Sequence, residues 1–177
     1  MRPIASAILM VGLLVTGPVL AGCADDTSGA SSTSTSAAPA ALWNPCSEIS
    51  DASVRTLGLD PTSKESDIGG VHQSGWEICA WKGTQYGLTV YSSAKGVDYF
   101  KSKPENVDFR PVTVAGRSGE QFRVNGTTKN LKCDLIIPAS QGIFQIALLG
   151  WPGKDGPADP CAALDQAAQV LVPVMPK

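Results

Sequence analysis

Leu131-Lys132-Cys133-Asp134-Leu135-Ile136-Ile137 is the stretch that decides the fold of this 177-residue chain. Strand alternation over it puts Leu131, Cys133, Leu135 and Ile137 on one face, so Cys133 points into a core. The flanking residues extend the reading to two strands, Lys129–Ile137 and Gly142–Leu149, paired as a hairpin around Ala139-Ser140-Gln141. Beyond them Asp159 is placed to cap a helix whose first residue is Pro160. On that helix Cys161, Leu164, Ala168, Leu171 and Met175 fall on one stripe, so Cys161 also points inward. A C-terminal helix packed on the sheet then brings Cys161 to Cys133.

The upstream half carries the same signals more weakly. Trp76–Trp81 and Tyr86–Ser92 read as a hairpin around Lys82-Gly83-Thr84-Gln85, with Trp76, Ile78 and Ala80 on one face. Ser50 caps a short helix, Asp51–Leu57, which Gly58 ends. Asp60–Gly75 reads as a polar, glycine-bearing loop. Val97–Lys103 is a short helix stopped before Pro104, and Pro111–Ala115 is an edge-like strand. Gly119–Val124 fits a strand and a helical turn equally well. The expectation is an α+β fold: an antiparallel sheet of about five strands with helices covering one side and two disulfides. Residues 42–177 are the length of one ordinary domain.

The chain has five cysteines. Cys46, Cys79, Cys133 and Cys161 lie in the folded part, and four cysteines allow three pairings. The two inward-pointing positions pair Cys133 with Cys161 and leave Cys46 for Cys79. There is no Cys-x-x-Cys and one histidine, His72, so no metal site is expected.

The fifth cysteine ends the amino-terminal segment. Arg2 is followed by an uncharged apolar run, Ile4 to Leu20, and then by Leu20-Ala21-Gly22-Cys23, the layout of a cleavable export signal. Those four residues resemble the lipobox of bacterial lipoproteins. The resemblance implies that residues 1–22 are removed and that Cys23 carries lipid and becomes the new amino terminus. The alternatives are an ordinary secreted protein cut at a site such as Val19-Leu20-Ala21, and an uncut anchor. Residues 23–41 are rich in Ser, Thr and Ala and read as a disordered tether, since little there offsets the entropy of folding. Two or more acyl chains hold a small protein on a membrane, so the expected address is the outer face of the cell membrane.

Removing the signal takes away Arg2, leaving 13 basic and 16 acidic side chains. A net charge near minus three argues against nucleic acid as a partner. Lys95, Lys101 and Lys103 form the one basic cluster and read as the solvated face of a short helix. Gly116-Arg117-Ser118-Gly119-Glu120 departs from a nucleophile elbow at Glu120 and reads as a turn. His72 lies in a polar loop, and Asp51, Asp67 and Asp134 show no spacing of a paired acid and base. Gly69-Gly70 lacks a phosphate-binding pattern, so no catalytic residue and no cofactor is expected. Trp76, Trp81 and Trp151 are candidates for an aromatic wall facing an apolar ligand, against a plain core role.

Trp43-Asn44-Pro45-Cys46, Leu57-Gly58-Leu59, Cys79-Ala80-Trp81, Cys133 and Asp159-Pro160-Cys161, in that order behind the lipobox, resemble the actinobacterial lipoproteins called domain of unknown function 3558. The resemblance implies an envelope address and a two-disulfide α+β domain with a PsbP/Mog1-like architecture. It carries over no catalytic residues. Two function classes follow. One is a non-enzymatic envelope lipoprotein that binds a partner protein or a small apolar ligand. The other is an envelope hydrolase or remodelling enzyme. Convergent polar groups with shifted pKa values in a cavity would favour the enzyme, and an apolar or featureless face would favour the binder.

Overall fold

The alternation around Cys133 places one strand of a larger sheet than five. The computed structural model describes residues 41–152 and 156–177, and the signal segment, Cys23 and all but the last residue of the tether lie outside them. Seven strands, β1 (Leu59–Ser66), β2 (Trp76–Gly83), β3 (Tyr86–Ser93), β4 (Asn106–Val114), β5 (Arg117–Val124), β6 (Lys132–Ala139) and β7 (Gly142–Gly150), form one sheet. Their order is β1-β2-β3-β7-β6-β5-β4 and every neighbouring pair is antiparallel. The helices are α1 (Pro45–Glu48), α2 (Asp51–Thr56), α3 (Val97–Lys101) and α4 (Pro160–Leu171), with a closing 3₁₀ turn at Val172–Val174.

The expected five-stranded α+β sheet is therefore corrected: the protein is mostly a seven-stranded antiparallel sheet, with twice as much strand as helix among the described residues, 45% against 22%. Two strands account for the difference. Leu59–Ser66, read as the start of a loop, pairs with β2 through a bulge between Asp60 and Glu65. Its polar residues and Pro61 give no alternation because it is an edge strand, exposed along most of its length. The ambiguous Gly119–Val124 lies within β5, which a two-residue turn at Ala115-Gly116, both with positive φ, folds back on β4.

Helices on one side is the second correction. Cys133, Leu135 and Ile137 of β6 and Phe144, Ile146 and Leu148 of β7 pack with Val54 of α2 and with Cys161, Leu164, Ala168 and Leu171 of α4 in one core. On the opposite face Phe100 of α3 packs against Phe122, Ile136 and Ile143 in a second, smaller cluster. The central strands are thus buried on both sides, which is why β6 and β7 read as near-continuous apolar runs.

Local capping sets the helices. The Asp159 carboxylate accepts from Cys161 N at 2.9 Å with Pro160 in the first turn, and Asn44 does the same for Cys46 N at 2.8 Å. These caps set the chain direction just before two cysteines. Cys46 is joined to Cys79 and Cys133 to Cys161, with Cα atoms 5.1 Å apart in each pair. One bond fastens α1 to β2 and the other fastens α4 to β6, both on the larger core's side. The carboxy-terminal residues are clamped by Arg117, whose guanidinium donates to the carbonyls of Met175 (3.2 Å), Pro176 (2.9 Å) and Pro138 (3.0 Å). At the β6–β7 turn Gly142 has φ of 138°, and a Cβ there would lie 2.3 Å from Ser93 O. Only glycine fits.

Candidate functional site

The face of the sheet opposite α4 is incompletely covered. The five-residue α3 and the β1–β2 connection shield one part of it, and a cavity of about 280 Å³ opens between them and the strands. Its apolar wall is built from alternate residues of strands that cross the sheet: Trp76 and Ile78 on β2, Tyr91 on β3, Phe122 and Val124 on β5, with Phe100 from α3. The aromatic groups hold one another. Trp76 lies edge-on to Tyr91 (6.1 Å between centroids) and to Phe100 (6.2 Å), and Phe109 stacks on Phe122 at 5.0 Å. Such contacts contribute about 0.5–1.5 kcal/mol each beyond area burial, so the wall is pre-formed.

The rim is made of residues that a folded domain usually hides. Ile68 is 58% exposed and Tyr99 is 37% exposed, and both line the cavity. Ile68 pairs with Val71, itself 63% exposed, across Gly69 and Gly70, whose positive φ values allow so tight a reversal. On the other side the ammonium groups of Lys103 and Lys95 stand over the Tyr99 ring at 4.6 and 5.4 Å.

The floor holds the one fully buried carboxylate among the described residues. Asp134 on β6 has no exposed surface; Gln145 on β7 donates to its Oδ1 at 2.7 Å, and Lys132 Nζ lies 3.3 Å from its Oδ2. The ammonium is close enough for an ion pair, but no donor is aligned on that oxygen. Burial pushes the Asp134 carboxyl above the usual carboxylate range, and Lys132 and Gln145 pull it back. Burial, followed by the nearby Asp134 charge, also raises the Tyr91 phenol. Tyr91 and Lys132 border a second cavity of about 310 Å³ as well, reaching toward Trp151.

The three candidate tryptophans are not gathered at one place. Trp76 lines the first cavity, while Trp81 and Trp151 both border the second, Trp151 donating to Gly83 O at 2.9 Å with its ring against Gly87. The Trp81 side chain is 1% exposed and belongs to the α4-side core. His72 faces Asp67 at 3.2 Å in an exposed pair. Ser118 is exposed on β5, directly after the Ala115-Gly116 turn. No group of three or more metal-ligating side chains occurs among the described residues. Lys132 and Gln145 were not singled out by the sequence reading, and Asp134 was set aside there as a scattered carboxylate. The signal for them was a charge pair, Lys132 and Asp134, on one face at the start of an otherwise apolar strand.

A two-disulfide antiparallel sheet with a helix-covered face and an aromatic, cation-rimmed cavity on the other defines a class of small cavity-bearing β proteins. The chain belongs to the family described as protein of unknown function (DUF3558), whose family model matches residues 18–174. No curated protein and no solved structure matches it.

Proposed function

We propose that this is a binding protein of the cell envelope, anchored by lipid on Cys23, whose cavity between α3 and the sheet takes a small apolar ligand. The observation that carries the reading is the composition of the cavity wall. It is aromatic and aliphatic with two phenol hydroxyls and a few amide and ammonium groups, and among the described residues no Ser, Thr, Cys, His or carboxylate side chain lines it. A hydrolase needs a nucleophile or an activated water beside a base on that wall. Asp134 has the shifted carboxyl of a functional group, but it is sealed below the wall by Lys132 and Gln145. A volume near the lower end of small-molecule sites suits a ligand of one slender chain.

Anchoring rests on the lipobox-like Leu20-Ala21-Gly22-Cys23, and no described helix is long and apolar enough to cross a membrane. The wild type is expected in the detergent phase with a lipid mass on the Cys23 peptide, and Cys23→Ala in the medium or unprocessed. An unmodified Cys23 in the mature protein refutes the anchor. For the cavity, the full chain carrying Cys23→Ala is titrated with N-phenyl-1-naphthylamine without detergent. A saturable fluorescence rise that Trp76→Ala weakens about tenfold is expected, given what a buried aromatic contributes. No saturable binding, or binding indifferent to Trp76, overturns the reading.

A further inference from the structure

Resting on that reading of the cavity, we infer that its ligand is a single-chain amphiphile with an anionic head, a carboxylate or phosphate monoester, seated with its chain along Trp76, Tyr91 and Phe122 and its head at Lys103. Among the described residues the lining carries two charged side chains, Lys103 and Lys132, and both are cations. Their situations differ. Lys132 is committed to Asp134, whereas Lys103 makes no ion pair among the described residues. Lys103 is held over Tyr99, with Lys95 on the same ring, and so waits at the exposed rim. Of the neighbouring charges, Lys101 is spent on Glu120 at 2.6 Å, and Asp98 and Glu105 are exposed outside the cavity.

The interior accepts an apolar chain and little else. The lining runs from β2 through β3, β7 and β6 to β5, four strand spacings or roughly 19 Å. That path suits an extended hydrocarbon chain better than a compact ring. A cationic head would meet two ammonium groups, and a neutral head would leave Lys103 without a counter-charge. An anionic head at the rim satisfies Lys103 while remaining partly hydrated, which avoids the desolvation penalty of a buried pair.

The test titrates the full chain carrying Cys23→Ala, below each micelle concentration, with dodecanoate, dodecyl phosphate, dodecanol and dodecyltrimethylammonium, following tryptophan fluorescence. Both anions should bind at least about tenfold more tightly than the cation. Lys103→Glu should weaken the anions about tenfold and leave dodecanol within about twofold, as reversal of one partly exposed charge requires. If dodecanol matches the anions and Lys103→Glu moves neither, the anionic-head inference is overturned while the apolar cavity stands. If no amphiphile binds, the cavity reading itself fails. A stable dimer by light scattering without amphiphile binding assigns the face to a second copy and overturns both.

Discussion

Replacing Cys133 and Cys161 together by alanine isolates what the bond between β6 and α4 contributes. The bond closes a loop of 28 residues, for which the chain-entropy relation gives about 3.5 kcal/mol at 25 °C. The Cys46–Cys79 bond spans 33 residues, and because the dependence is logarithmic its entropic contribution is nearly equal. The two sites differ in burial. Cys133 and Cys161 are 0% and 6% exposed, whereas Cys46 is only half-buried, so the first pair also loses packing in the core. Cys133→Ala/Cys161→Ala should therefore cost more than Cys46→Ala/Cys79→Ala, several kcal/mol in each case, read as a lower urea midpoint with an m-value that rises because the uncrosslinked denatured chain exposes more surface. Both bonds lie on the α4 side, so amphiphile affinity should stay within about twofold wherever the variants remain folded. A loss under about 1 kcal/mol for the Cys133–Cys161 pair, or affinity that falls in step with stability, refutes the separation of the stapled face from the binding face.

Asp134→Asn should reshape the pH dependence of stability. The folded-state pKa is raised from 3.8, so the stability contributed by this titration is fully present below 3.8 and is lost as pH rises through the folded value. The difference between Asp134→Asn and wild type in urea unfolding should then move in the variant's favour from pH 4 to pH 8; a flat difference contradicts a buried, reluctantly ionised carboxyl. Arg117→Ala should cost about 2–3 kcal/mol, by loss of charge-assisted bonds to three carbonyls, and should speed hydrogen exchange in residues 172–177. Exchange left unchanged there would contradict the clamp. Gly142→Ala should cost at least about 2 kcal/mol by thermal melt, because the added Cβ meets backbone at Ser93 and the residue sits at φ of 138°. His72→Ala and Ser118→Ala should complement a deletion strain fully; failure of either, with folding and export intact, would favour the hydrolase.

The sequence revealed elements wherever one residue's environment repeats every second or every third to fourth position. β6 and β7 carry apolar residues on both faces, and the α4 stripe is uninterrupted, so the contact between Cys133 and Cys161 could be read from local periodicity. β1 could not be, since after Leu59 the positions this edge strand turns inward are Pro61 and Ser63, which leave no apolar alternation to read. β5 hid for another reason. Its residues toward α4 are Gly119 and Gln121, where apolar side chains would be expected. Gly119 is required because a Cβ would lie 2.7 Å from Ile136 O, and Gln121 is buried because Asp165 and Cys161 O accept from its amide. Each exception answers to a contact more than a dozen residues away, which no local pattern records.

The cavity was legible only as a suspicion about Trp76, because its parts meet through strand order. Gln145 lies directly across from Ile136, and Asp134 across from Phe122 and Ala147. That register sets a carboxylate, an ammonium and an amide among aromatic rings at the middle of the sheet. A face built this way gains less from apolar burial than the α4 face, where Trp81, Leu148 and Leu164 belong to the larger apolar core. Binding surfaces are drawn from the less stable parts of a fold. Placing both disulfides on the opposite face offsets that cost without crossing the cavity, so the wall can stay open while the chain around it stays closed.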